Sequence, residues 1–138
     1  MRIMAIDYGR RRIGIALSDP SGTIAQPFLT IEKRSRKLLL QQLESIIDKN
    51  GVTLVLVGNP LSLKGESTPM SLEIAKLIQR LKKNMKIKVL SWDERFTSRL
   101  AVRVLKDHNL KPYNVDGIAA ALILEDFLAS KTKNCGKS

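Results

Sequence analysis

The chemistry this sequence could perform is concentrated at Asp7, the pair Asp93-Glu94, and Asp116. Each stands where a regular element should begin or end, and functional groups are most often carried at such junctions. Asp7 follows the alternating run Ile3-Met4-Ala5-Ile6, and Asp93-Glu94 follows a strand-like run from Ile87 to Trp92. Asp116 heads a stripe at helical spacing, Ala119, Ala120, Ile123 and Phe127. An acid at the head of an apolar stripe faces a sheet rather than solvent. Singly, each has a plainer reading. Asp7 could form an Asx-turn, Asp93-Glu94-Arg95 a surface ion pair, and Asp116 a first-turn acid favoured by the helix dipole and capped by Asn114. Brought together, three such carboxylates repel one another unless cations sit among them. Hard divalent ions that prefer oxygen ligands, Mg²⁺ or Mn²⁺, resolve that conflict. Two such ions can activate a water against a phosphodiester and stabilise its leaving oxygen.

Basic residues adjoin these acids. Arg10, Arg11 and Arg12 follow Asp7, and Arg95 and Arg99 follow Glu94; these are the candidate nucleic-acid contacts, with Lys64 a weaker one. The whole chain carries 24 Lys+Arg against 13 Asp+Glu, a net charge of +11. Such a surplus points to a polyanion, either nucleic acid or an anionic membrane. The membrane reading fails on length, because the longest apolar run, Ile118 to Leu124, is far short of the ~20 residues a span needs. Nor does the N-terminus resemble a signal peptide, since Asp7 and the arginines follow Ile3–Ile6 at once. One cysteine, Cys135, allows no internal disulfide and fits a reducing cytoplasm. With His108 the only histidine, a zinc site or a Ser-His-Asp triad is hard to assemble.

The positioning elements follow from periodicity. Residues 1–7 alternate as a strand with Ile3, Ala5 and Asp7 on one face, and Ile13 to Asp19 is a second strand. Asp19-Pro20-Ser21-Gly22 is a turn, and a third strand runs from Ile24 to Ile31. Connections this short predict an antiparallel meander. Helical spacing predicts a helix over 34–49, ended by Asn50-Gly51, and another on the stripe Met70, Ile74, Leu77, Ile78, Leu81 and Met85. Between them, Leu54 to Gly58 reads as a strand buried on both faces. Ile87 to Trp92 is a fifth strand; Thr97 or Ser98 caps a helix to about Lys106, and Asn114 caps the last, Val115 to Ser130. Trp92, Phe28 and Phe127 are expected in the core. The order βββαβαβαα, with right-handed crossovers, is an α/β arrangement of the ribonuclease H-like kind. It is a mixed five-stranded sheet, a three-stranded antiparallel meander plus two parallel strands, flanked by helices. Its first strand is central, the fifth lies one strand away, and the last helix crosses that end, so the acids converge. One domain is expected over 1–130, with a disordered tail over 131–138.

The same residues resemble a known family, the YqgF (RuvX) proteins, pre-16S rRNA nucleases or Holliday junction resolvase-like proteins. The resemblance runs from Met1 to about Leu128 on four motifs in order. These are Asp7-Tyr8-Gly9-Arg10-Arg11-Arg12-Ile13-Gly14 with Ser18-Asp19; Gly58-Asn59-Pro60 with Gly65; Asp93-Glu94-Arg95-Phe96-Thr97-Ser98; and Val115-Asp116 with Ala119-Ala120 and Leu122-Ile123-Leu124. It implies a ribonuclease H-like fold and an Asp-Glu-Asp metal site on Asp7, Glu94 and Asp116. It further implies a role in maturing the 5′ end of 16S rRNA, on precursor rRNA or a pre-ribosomal particle. The family pattern favours Glu94 over Asp93, whereas strand phase alone leaves both open, because adjacent strand residues point to opposite faces. Two rivals stand beside this reading. A DNA junction resolvase would need paired sites in a dimer, whereas a monomer or weak dimer is expected. A non-catalytic RNA-binding assembly factor would keep the acids for structure.

Overall fold

The computed structural model describes residues 1–59, 68–93 and 112–136, with the backbone alone described for 59, 93, 112–116 and 131–136. Strand β1 (Arg2–Tyr8) sends Met4, Ile6 and Tyr8 into one core cluster and Ile3 and Ala5 into another, on opposite faces of the sheet. Strand β2 (Arg12–Ser18) returns antiparallel to it, and β3 (Ala25–Glu32) returns antiparallel to β2. Strands β4 (Val52–Asn59) and β5 (Lys88–Asp93) join in parallel, giving the order β3-β2-β1-β4-β5. The meander, the two parallel strands and the central place of β1 all agree with the sequence reading.

Local signals set the helix ends. Helix α1 (Arg36–Asn50) begins where the Ser35 hydroxyl accepts the Leu38 N–H at 3.1 Å, and ends at Gly51 with φ 64°. That left-handed C-cap suits glycine, which has no Cβ to crowd the carbonyl. Helix α2 (Pro69–Met85) opens on a reciprocal cap: Thr68 and Ser71 each accept the other's backbone N–H through a side-chain oxygen. Both helices cover the face that carries Met4, Ile6, Val55 and Val57, through Leu39, Leu43, Ile74 and Leu81.

Helix α3 (Pro112–Gly136) covers the other face alone among the described residues. Its contact is built from small residues: Ala120 and Ala121 meet Ala5 and Ala16, with Ile3, Leu54, Leu56, Ile123 and Leu124 around them. Side chains this short let the helix axis come close to the sheet. The approach continues at Gly117, where a Cβ would stand 3.2 Å from Pro27 Cβ on edge strand β3.

Three expectations need correction. The last helix starts at Pro112 rather than Val115, so Asn114 lies inside it and is not its cap. Proline supplies the start: its φ is already helical and it has no N–H to leave unsatisfied. At the other end the helix continues to Gly136, past Ser130, because no Pro or Gly interrupts residues 131–135. Phe28 is 45% exposed rather than core, since β3 is the sheet edge and has a neighbouring strand on one side only. The helix expected from Thr97 or Ser98 to Lys106, the loop residue Lys64, and His108 lie outside the described residues. Among the described residues, no helix is long and apolar enough to cross a membrane.

Candidate active site

Asp7 is the one charged side chain that is buried among the described residues, at 6% exposure. Alternation from Ile3 and Ala5 puts it on the α3 face. In the sheet its partners are Gly14 on β2 and Gly58 on β4, and Gly58 in turn pairs with Trp92 on β5. Laterally paired residues share a face, so Asp7 has a residue without a side chain on either hand. The carboxylate is therefore flanked in the sheet by two glycines, on a central strand paired along both edges. A carboxylate oxygen is the kind of donor that suits a hard cation such as Mg²⁺ or Mn²⁺.

Position 116 lies on the helix stripe shared with Ala119, Ala120, Ile123 and Phe127, and these four are buried at 4%, 0%, 2% and 9% exposure. It is the fifth residue of α3, beyond the first turn, where the helix dipole no longer favours an acid strongly. That weakens the plainer reading of Asp116. Asp93 ends β5 and pairs with Asn59. Glu94, Arg95 and Arg99 lie outside the described residues. Among the described residues no three ligating side chains form a group, and of the expected acids only the side chain of Asp7 is described.

Arg10, Arg11 and Arg12 are exposed on the turn that follows Asp7. The Gly9 N–H donates to the Arg12 carbonyl at 3.1 Å, and the Lys33 N–H donates to the Arg11 carbonyl at 2.8 Å. A Cβ at Gly9 would come within 2.5 Å of the Arg12 oxygen, so this tight closure requires glycine.

The next residue, Tyr8, anchors a network that sequence reasoning missed. It faces away from Asp7, under α1 and α2, and its hydroxyl donates to Glu73 Oε2 at 3.2 Å. Lys33 donates to the same oxygen at 2.8 Å and lies 4.4 Å from the Tyr8 ring centroid, a cation–π distance. The Lys33 side chain is only 17% exposed, so its charge is held within the fold rather than solvated. Burial raises the Tyr8 hydroxyl above its usual value, against the pull of Lys33. Burial works against the Lys33 ammonium, yet hydrogen bonding to Glu73 and Tyr8 keeps it raised; the Lys33 hydrogen bond holds the Glu73 carboxyl low. The available signal was alternation, which puts Tyr8 opposite Asp7.

The family model described as RuvX, Holliday junction resolvase, matches residues 1–130. The chain belongs to the RuvX family. A relative from Roseiflexus sp. (strain RS-1), named "Putative pre-16S rRNA nuclease", is 37% identical over 134 residues, covering 94% of this chain and 95% of its own. Among solved structures, T. thermophilus RuvC in complex with Holliday junction substrate superposes with a TM-score of 0.62 at 11% identity, covering 96% of each chain. The fowlpox virus Holliday junction resolvase gives 0.59 at 14% identity, over 94% of this chain and 99% of that one. At such identities the likeness speaks for the fold, which is ribonuclease H-like as the strand order predicts. RuvX membership accounts for the four motifs in their order along the chain.

Proposed function

We propose that the chain is a metal-dependent nuclease that hydrolyses phosphodiester bonds in structured RNA, in 5′-end maturation of pre-16S rRNA. The observation that carries this reading is Asp7, buried on the α3 face between Gly14 and Gly58 at the end of the central strand. The metal ligands, and with them the catalytic residues, would be Asp7, Glu94 and Asp116. Parity supports Glu94 over Asp93: the α3 face of β5 carries Leu90 and Trp92, and Glu94 is the acid that continues the even series. A bound Mg²⁺ or Mn²⁺ supplies Lewis acidity toward the phosphodiester and readies a water for attack.

The chain's own part is to hold and orient. Strand pairing on both edges of β1 fixes the Asp7 backbone. The closed turn offers Arg10, Arg11 and Arg12 beside it, and guanidinium groups grip phosphate through paired N–H donors. Arg95 and Arg99 would extend that rim beside Glu94. The partner would be precursor rRNA or a pre-ribosomal particle in the cytoplasm, with the protein a monomer or weak dimer. The family model's description favours a second reading, a resolvase of DNA junctions.

One experiment separates these readings. The protein and its Asp7→Asn variant are incubated with precursor 16S rRNA and with four-way DNA junctions, with Mn²⁺ or with chelator. Mn²⁺-dependent cleavage of the rRNA, lowered more than 100-fold in Asp7→Asn, is expected, since even outer-shell partners of a metal cost about 10–100-fold. Preferred cutting of the junction would favour the resolvase. Equal products from both proteins, or none under any condition, would refute a metal nuclease built on Asp7.

A further inference from the structure

Between α1 and α2, on the sheet face opposite Asp7, a small cleft opens with Tyr8 at its base. Arg36 from α1 and Lys76 and Arg80 from α2 line it, all exposed, and Glu73 is the one acid in its lining. That carboxylate is already engaged, by Lys33 at 2.8 Å, by the Tyr8 hydroxyl at 3.2 Å and by Arg36 at 3.7 Å. Leu39, Leu40 and Leu77 complete the lining, so the cleft is apolar within, and the exposed Arg36, Lys76 and Arg80 make its rim positive beside a single neutralised acid. Its cavity is about 40 Å³. A pocket that encloses a small ligand needs about 300–1,000 Å³, so no nucleotide is swallowed here. A phosphate group on a strand passing over the rim fits the dimensions and the charge. Tyr8 is only 4% exposed and covered by Lys33, so it offers no ring for a base to stack on. Contact would be to the backbone alone, without sequence preference.

The cleft is joined to the candidate active site through the chain itself. Tyr8 and Asp7 are neighbours on β1, and the arginine turn that follows is tied to the cleft side by the hydrogen bond from Lys33 N–H to the Arg11 carbonyl. Arg10, Arg11 and Arg12 therefore stand between the two faces. We propose that the RNA strand bound at Asp7 crosses this turn and is gripped a second time, by its phosphates, at Arg36, Lys76 and Arg80. The inference rests on the reading of the chain as an RNA nuclease, and it places part of the substrate on the face away from the acids.

RNA binding measured in chelator, so that nothing is cut, tests it over a range of salt. The R36Q/K76Q/R80Q variant should give a slope of log affinity against log salt shallower by about 2, from three lost single-strand phosphate contacts. Between 50 and 200 mM salt the unmodified protein should then lose about 16-fold more affinity than the variant. Glu73→Gln, which removes the acid of the cleft, should bind RNA more tightly, an outcome that misfolding would not produce. The variant K82Q/K83Q/K86Q removes equal charge from the last turn of α2 and its cap, and its slope should change less. Equal slopes in the two triple variants, or an unchanged slope in the first, would overturn the cleft and leave the nuclease reading intact. Absence of salt-dependent RNA binding by the unmodified protein would overturn both.

Discussion

Replacing Gly9 with alanine tests the turn that carries the three arginines. The added Cβ would stand 2.5 Å from the Arg12 carbonyl oxygen, and real contacts of this kind begin near 3.0 Å, so the oxygen or the Gly9 backbone must move by about half an ångström. Neither side is free to move. Arg12 begins β2 and pairs with Glu32, and the Arg11 carbonyl holds the Lys33 N–H at 2.8 Å. Relief therefore loosens the Gly9–Arg12 hydrogen bond, worth about 0.5–1.5 kcal/mol net. The overpacking that remains costs about 1–3 kcal/mol. Together these lower stability by about 2–4 kcal/mol, a large part of the 5–15 typical of a domain. With a urea m-value of about 2 kcal/mol/M, the unfolding midpoint should fall by about 1–2 M at unchanged slope. A midpoint within 0.2 M of the parent, or so, would show that the turn relaxes freely and that the geometric argument is wrong.

Other outcomes follow from separate features. Gly51→Ala should cost about 1–2 kcal/mol by urea unfolding although no atom beyond its chain neighbours lies within 4 Å of the new Cβ, because the cost is the left-handed backbone alone; Gly51→Asn should cost less. Asp19 accepts hydrogen bonds from the Ser21 hydroxyl and the N–H groups of Ile24 and Thr23, which hold its carboxyl well below the ordinary 3.8. Its contribution to stability is complete above that value and is lost as pH falls toward the depressed one. Carboxyl NMR should show Asp19 ionised at pH values where free aspartate is protonated, and Asp19→Asn should flatten the acid limb of unfolding midpoint against pH. Ala120→Leu, at a fully buried site, should cost about 1–3 kcal/mol and raise α3 from the sheet. Mn²⁺ affinity by calorimetry should then fall along with stability, and unchanged affinity would argue against Asp116 as a ligand.

The sheet could be read from sequence because its determinants are local or follow from handedness. Short connections between Tyr8 and Arg12, and between Ser18 and Ala25, allow only antiparallel return, and right-handed crossovers then order β1, β4 and β5. The phase of Asp7 was equally legible, since Ile3 and Ala5 show which face meets α3. What escaped was interaction across sequence distance. Lys33 and Glu73 lie 40 residues apart, and no periodicity in either segment announces their pairing over the Tyr8 ring. Phe28 misled because hydrophobicity was taken for burial at a strand that turned out to be the edge. The phase of β5 was likewise hidden in the sequence and came only with the packing of Leu90 and Trp92 beneath α3.

The place of β1 has a consequence for timing. This strand leaves the ribosome well before its parallel neighbour β4 and the helix that covers it, which come much later in the chain. At about 5–20 residues per second, the interval between synthesis of Asp7 and of Asp116 is about 5–20 s. Through that interval Ile3, Ala5 and Asp7 lack the cover of α3, whichever strands have already paired. A truncated or unfinished chain that lacks α3 would leave the apolar face carrying Ile3 and Ala5, and Asp7 with it, open to water.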